Sequence, residues 1–292
     1  MTSINKHRVN SARLISAIYG LTLLIVTSPA GAADNTESYQ QFAKLAFTAQ
    51  SNRQPLPHIA DSKAKITNTE QAYQAQASYV SMILATNEIA GFKAGLTSSA
   101  GQQKFKVTAP LSGVLFKSVS ATSLAEFSLD NFNKLMLETE IGFRLNKQVT
   151  QPVKSIEQLK TMIATVHPVI ELPELGFKPG AITGLDLIAT NVASNELIIG
   201  SGKMPSDLPD LNKLTARLLF KGKLINSGRG SDALEDQYRA LLWLINHNVK
   251  HGYAITPQHI LITGALGKML PAQVGAYQAD FEQLGTIDFK IK

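Results

Sequence analysis

The chain has 292 residues, no cysteine, and 28 basic against 22 acidic side chains. The missing cysteines exclude disulfides, thiolate catalysis and a lipid anchor on cysteine. Lys6, Arg8 and Arg13 precede the first acidic residue, Asp34; beyond that leader 25 basic residues face the 22 acidic ones, a balance without a nucleic-acid footprint.

In chain order, "MTSINKHRVNSAR" supplies positive charge, "LISAIYGLTLLIV" an apolar core and "SPAGAA" small residues. That order is the pattern of a secretory signal peptide over residues 1–33, with cleavage near Ala32 or Ala33. A membrane anchor is the alternative, but the apolar run is shorter than the roughly 20 residues a spanning helix needs. The expected location is therefore periplasmic or secreted, with no membrane attachment after cleavage. The later apolar runs are too short to span.

Residues 34–90 read as a helical segment. "YQQFAKLAFTAQ" spaces Phe42, Leu45, Ala46 and Ala49 helically, and "RQPLPHIAD" is a Pro-broken connection. "TNTEQAYQAQASYVSMILATN" predicts a long helix capped by Thr67 or Asn68, with Tyr73, Ala77, Val80 and Ile83 on one face.

From Gly91 the texture changes to short apolar runs punctuated by Gly, Pro and Ser. "IAGFKAGL", "SGVLF", "LMLETEIGFRL", "HPVIELPEL", "DLIATNV", "ELIIG" and "ARLLFKGKLI" read as strands of a mixed sheet, interrupted by a helix over "SIEQLKTMIATV". "SDALEDQYRALLWLINHNVKHGY" predicts another helix, with a stripe of Leu234, Tyr238, Leu241, Leu242, Ile245 and Val249. Asp232 and Glu235 have capping-box spacing, and Gly252 sits where such a helix stops. "HILITGAL" and "GTIDFKI" return to strand. The expected class is α+β: a helical N-terminal segment before a strand-rich body over residues 91–292.

Most polar candidates carry little chemistry. A G-x-S-x-G elbow is absent, and "GSGKMP" lacks P-loop spacing. "GRGSD" reads as a turn leading into the helix. His247 and His251 are four apart and have the spacing to share a metal, but they sit beside Asn246 and Lys250 and read as solvated.

Carboxylates offer more. In "LETEIGFRL", strand alternation puts Glu138 and Glu140 on one side, opposite Leu137, Thr139, Ile141, Phe143 and Leu145. That side is either a solvated edge or a place for something positive. Glu171 follows the apolar pair Val169-Ile170, where a carboxylate is costly to bury unpartnered. Carboxylates of this kind suit a hard cation such as Mg²⁺. Lys93, between small residues in "AGFKAGLTSSA", is either a surface lysine in a turn or a cation placed to meet a carboxylate or an enolate.

These segments, in this order, resemble the 2-keto-4-pentenoate hydratase family, which includes 4-oxalocrotonate decarboxylases and belongs to the fumarylacetoacetate hydrolase superfamily. The likeness runs from "LPHIADSKAKITNTEQAYQAQ" through "GFKAGLTSSAGQQ", "APLSGVLF", "LETEIGFRL", "VIELPELGF", "ATNVASNELIIGSG" and "RALLWLINHNVKHG" to "ITGAL" and "FEQLGTIDFKI". It implies the mixed β-sheet roll of that superfamily. It also implies an Mg²⁺ or Mn²⁺ site on Glu138, Glu140 and Glu171, with Lys93 as the catalytic residue. Leu96, Thr97, Asn191 and Ser194 fall in its substrate-binding segments. The implied substrate is a small 2-oxo (2-hydroxydienoic) acid, and the implied assembly a homo-oligomer.

The implied reaction is hydration; decarboxylation, C–C hydrolysis and non-catalytic binding of a metal and a 2-oxo acid are the alternatives. The chain departs from the family pattern at several polar positions. Thr108 and Leu111 replace acidic residues, Thr190 and Asn195 alter the A-D-N-A-S-x-G segment, and Glu235 to Gln237 stand where G-H-P is usual. Gly275-Ala276 replaces a late G-D pair.

Overall fold

A computed structural model describes residues 30–292 apart from 118, 119, 122 and 123. The expected signal peptide lies outside the described residues except for its last four positions, the first of helix α1 (Ala30–Ser51). Among the described residues no helix is long and apolar enough to cross a membrane.

Helix α2 (Thr69–Ile83) starts at Asn68, whose side chain accepts the Gln71 N–H. It buries Ala72, Ala75, Gln76, Tyr79 and Val80, a face rotated from the expected Tyr73–Ala77–Val80–Ile83 stripe. The reason is polar: the Gln76 amide donates to the Ser112 and Ile188 carbonyls at 2.9 and 3.0 Å, so it is satisfied inside. Tyr73 stays half-buried at the edge, its hydroxyl accepting the Ser112 N–H. On α1, Tyr39, Phe42, Ala43, Ala46 and Ala49 turn inward while Leu45 is left 41% exposed.

Among the described residues the strands form two sheets. The larger is built from β1 (Ile89–Gly95), β2 (Leu111–Phe116), β3 (Ser120–Ala121), β5 (Met136–Leu145), β6 (Ile163–Leu172), β7 (Glu196–Ile199) and β10 (Ile260–Ile262). Their order is β2-β1-β10-β5-β6-β7-β3, and β11 (Leu270–Pro271) pairs with the start of β5. β1–β10 and β3–β7 are parallel and the other contacts antiparallel, so the sheet is mixed, as expected. The second sheet runs β4 (Glu126–Phe127), β13 (Thr286–Ile291), β12 (Gly275–Asp280), β8 (Thr215–Phe220), β9 (Lys223–Arg229). With the helices this is an α+β fold.

Two segments depart from expectation. "DLIATNV" is mostly helix α5 (Gly184–Ala189): Thr183 and Asp186 form a reciprocal capping box that starts a helix where composition suggested strand. In "SIEQLKTMIATV" only α4 (Ile156–Lys160) is helical. The β-branched residues beyond it enter β6, whose pairing with β5 outweighs the helical spacing.

Helix α6 (Gln237–Lys250) is capped by Asp236, which accepts the Arg239 N–H, and not by an Asp232–Glu235 box. Asp232 accepts instead from the Arg229 and Gly267 N–H groups. The buried face is Gln237, Ala240, Leu241, Leu244, Ile245 and Asn248, again rotated toward polar residues that find partners inside. His247 and His251 are not solvated: their rings stack at 4.2 Å, and both pack on Tyr73.

Both faces of β5 are covered. Leu137, Thr139, Ile141, Phe143 and Leu145 are at most 1% exposed in the main core. The opposite face also holds a small apolar cluster of Ala90, Leu115, Val169, Leu197, Ile260 and Ile262. At Gly91 a Cβ would sit 1.8 Å from the Ile260 carbonyl oxygen, so only glycine allows β1 to approach β10 there. That approach sets the register that carries Lys93, two residues on, to Ile262.

Candidate metal and substrate site

Sheet register assembles the site. Glu138 on β5 lies directly opposite Glu171 on β6, and Glu140 opposite Val169. Lys93 on β1 pairs with Ile262 of β10, which pairs with Gly142 of β5. Paired residues share a face and alternate residues repeat it, so Lys93, Glu138, Glu140 and Glu171 all project to the same side. One carboxylate oxygen from each glutamate lies within 4.8 Å of the others.

The burial is severe for charged groups. Glu171 is fully buried, and Glu140 and Lys93 are 1% and 3% exposed. Glu138 is half-buried. Lys93 Nζ donates to Glu171 Oε1 and forms a buried ion pair with it. The Gly264 N–H donates to Glu140 Oε2 at 2.7 Å. Gly264 has φ of 111°, and a Cβ there would lie 2.2 Å from Thr97 Oγ1. Glycine therefore brings this N–H close enough to hold the carboxylate.

Electrostatics follow from three carboxylates around one ammonium. Burial first, then the Glu171 charge, pushes Glu138 up to about 7 even though Lys93 opposes the shift. Burial, Glu171 and Glu138 hold Glu140 well above the usual carboxylate range, against Lys93 and the Gly264 N–H. Burial acts to lower Lys93, but the Glu171, Glu138 and Glu140 charges outweigh it and its pKa ends raised. Glu171 Oε2 is buried and finds no hydrogen-bond partner among the described residues. An orphaned carboxylate oxygen beside two proton-hungry carboxylates fits a divalent cation, which takes oxygen ligands and cancels excess negative charge.

Above this floor is a cavity of about 80 Å³, reached by Lys93 and Glu138. Its walls come from the end of β1 (Gly95, Leu96), α3 (Ser99–Phe105), the turn after β6 (Pro173, Leu175), α5 and its exit turn (Leu187, Val192, Ala193), and Met269. The backbone here is unusual. Leu96 has φ of 52°, and Asn191, Val192 and Ala193 follow one another at 64°, 54° and 55°. Left-handed conformation at successive residues, one of them β-branched, is strained and persists only where tertiary contacts hold it.

The sequence-derived substrate residues divide. Leu96 lines the cavity. Thr97 is buried behind it, its carbonyl accepting the Leu234 N–H. Asn191 does not line the cavity: its Oδ1 accepts the Val114 N–H at 2.7 Å and its Nδ2 donates to the Val114 carbonyl at 2.8 Å. Ser194 Oγ donates to the same carbonyl at 2.8 Å. These two side chains brace the left-handed turn against β2, where a substrate contact had been expected. Sequence reasoning also missed Gly264, Phe105, Leu175, Leu187 and Met269, which come from separate elements and share no local pattern.

The altered polar positions have found structural partners. Gln237 is fully buried, donating from Nε2 to the Gly230 carbonyl at 2.6 Å and accepting from Thr263 Oγ1 at 2.6 Å. Thr190 donates to the Asp186 carbonyl at 2.7 Å.

No protein-family model matches the chain. It is 28% identical over 241 residues to a 2-keto-4-pentenoate hydratase of Paraburkholderia phymatum, covering 82% of this chain and 92% of the relative. It is 29% identical over 212 residues to the TodF product hydratase of Pseudomonas putida, covering 72% and 78%. Its fold matches that of 4-oxalocrotonate decarboxylase from Pseudomonas putida, solved with magnesium and adipate, at a TM-score of 0.82. That superposition covers 88% of this chain and 98% of the other at 20% identity. Along most of its length the chain is therefore similar in sequence to 2-keto-4-pentenoate hydratases, and it shares the fold of 4-oxalocrotonate decarboxylase.

Proposed function

We propose that this protein is a divalent-metal-dependent lyase of the hydratase type, acting on a small 2-oxo (2-hydroxydienoic) acid. The observation that carries the reading is the convergence of Glu138, Glu140 and Glu171 beside a cavity, with an orphaned Glu171 oxygen and an excess of buried negative charge. Glu138, Glu140 and Glu171 would hold Mg²⁺ or Mn²⁺, which when bound supplies Lewis acidity at the acid's C2 oxygen. Hydratase relatives and the decarboxylase fold support the reaction class.

The remaining work falls to this chain's own groups. Lys93 is held in place by Glu171 and reaches the cavity, where its ammonium meets either the substrate carboxylate or the oxygen on which negative charge develops. Three carboxylates keep that lysine protonated, so it acts as a fixed positive charge and hydrogen-bond donor. Gly264 holds Glu140 in one orientation through its N–H, limiting reorganisation as charge shifts. The apolar walls exclude bulk water, so interactions made on the floor are stronger than they would be in solvent.

The test pairs binding with turnover. Titration calorimetry of Mg²⁺ and Mn²⁺ is expected to give one site, lost in Glu138→Ala and Glu140→Ala. With metal, the wild type is expected to hydrate 2-hydroxypenta-2,4-dienoate, and Lys93→Ala to retain metal while losing at least 100-fold in kcat/KM. Metal binding without turnover on any 2-oxo acid would leave a binding protein; metal binding indifferent to both glutamates would sink the site.

A further inference from the structure

His247 and His251 take no part in the carboxylate centre. They line a separate cavity of about 440 Å³ between α2 and α6, together with Glu70, Tyr73, Gln74 and Lys250. It shares no lining residue with the cavity above Lys93 and Glu138. Both rings are half-buried and stacked 4.2 Å apart, with their planes 27° from parallel. His251 is fixed by its own helix, its Nδ1 lying 2.8 Å from the His247 carbonyl oxygen. A carbonyl oxygen only accepts, so Nδ1 carries the proton and the neutral ring keeps its lone pair on Nε2. Among the described residues neither ring nitrogen of His247 makes a hydrogen bond, and neither is sealed from solvent.

We propose that His247 and His251 form a second metal site, for a transition-metal ion such as Cu²⁺, Ni²⁺ or Zn²⁺. Two imidazoles four residues apart on one helix face are an arrangement that holds such an ion. The histidine χ2 torsion is broad, so a modest turn of the His247 ring sets both nitrogens about 2 Å from a shared ion. His247 lies in the last turn of α6 and His251 is its C-cap, where the helix carbonyls favour positive charge. Glu70 and Lys250 bring opposite charges to the cavity and offset each other. Imidazole suits these ions, whereas Mg²⁺ takes oxygen ligands and Mn²⁺ stands lowest in the affinity order. Mg²⁺ therefore leaves this site open. Among the described residues the three glutamates are the one group of three ligating side chains, so water completes the coordination of an ion held by the histidine pair. The proposal does not depend on the 2-oxo acid reading.

Trp243, the single tryptophan of the chain, stacks on His247 at 4.9 Å and reports occupancy, because open-shell Cu²⁺ beside it quenches its fluorescence. Cu²⁺ is titrated into the full chain with the carboxylate centre removed by Glu138→Ala and Glu140→Ala. Saturable quenching at one equivalent is expected, and excess Mg²⁺ is expected to leave it unchanged. Adding His247→Phe or His251→Gln is expected to weaken this binding at least tenfold, with circular dichroism confirming the fold. Electron paramagnetic resonance of the same protein with both histidines intact is expected to show two nitrogen ligands on Cu²⁺. Quenching unchanged in both folded histidine variants, its reversal by excess Mg²⁺, or a spectrum of oxygen ligands alone each overturns the proposal.

Discussion

At the scale of single residues, the central fact is like charge held together out of water. Glu138, with its pKa near 7, and Glu140, held well above the usual carboxylate range by burial and its acidic neighbours, keep their protons to higher pH in the folded protein than in the unfolded chain. Stability from a raised carboxylate is complete below its unfolded value and is lost as pH rises through its folded value. Metal-free protein is therefore expected to lose melting temperature between about pH 5 and 8. Saturating Mg²⁺ should flatten that slope, and a slope of opposite sign in differential scanning calorimetry would contradict the charge assignment. Glu138→Gln separates stability from function. It removes one repulsive charge, so the metal-free variant should gain on the order of 1–3 kcal/mol at pH 8 while losing metal affinity. Urea melts and calorimetry measure the two effects independently.

At the scale of elements, polar side chains decide how pieces lock together. Asn191 satisfies both backbone groups of Val114 and thereby holds three left-handed residues at the cavity wall. Asn191→Ala orphans the Val114 N–H and is expected to cost about 2–3 kcal/mol in chemical denaturation. Helix α6 contributes a pH response of the other sign. Burial, with His251 and Lys250, lowers His247 to about 3. A depressed histidine stabilises above its unfolded value near 6.5, and that contribution is lost as pH falls toward 3. His247→Phe keeps a ring against Tyr73 and Trp243 and should reduce the acid sensitivity of the melting temperature below pH 6. An unchanged acid limb would show that the ring stack does not govern it.

At the scale of the whole molecule, the helical segment and the sheet form one working unit. Gln76 ties α2 to β2 and α5, while α5 and its exit turn supply one wall of the cavity. The segment leading into α2 is held as well, since the Ile59 N–H donates to Asp186 at 2.7 Å and His58 Nε2 bonds to the Lys178 carbonyl at 3.0 Å. The leader has its own test. Export with cleavage predicts an intact mass beginning just after Ala32 or Ala33; a mature chain retaining Met1 would refute it.

The sequence by itself determined what depends on near neighbours. Alternation put Glu138 and Glu140 on one side of a strand, a cap at Thr67 or Asn68 was legible and the structure uses Asn68, and ordered motifs tied Lys93 and Glu171 to that strand through family likeness. Local spacing carries these signals because backbone geometry repeats every two or 3.6 residues. Only the tertiary structure decided that Glu171 stands opposite Glu138, since strand register depends on pairing between segments far apart in the chain. It also decided that Asn191 and Ser194 brace Val114, and that α2 and α6 bury faces containing Gln76, Gln237 and Asn248. Composition counts such residues as solvent-facing. They turn inward because partners from other elements satisfy them there, and no periodicity in one segment can encode that.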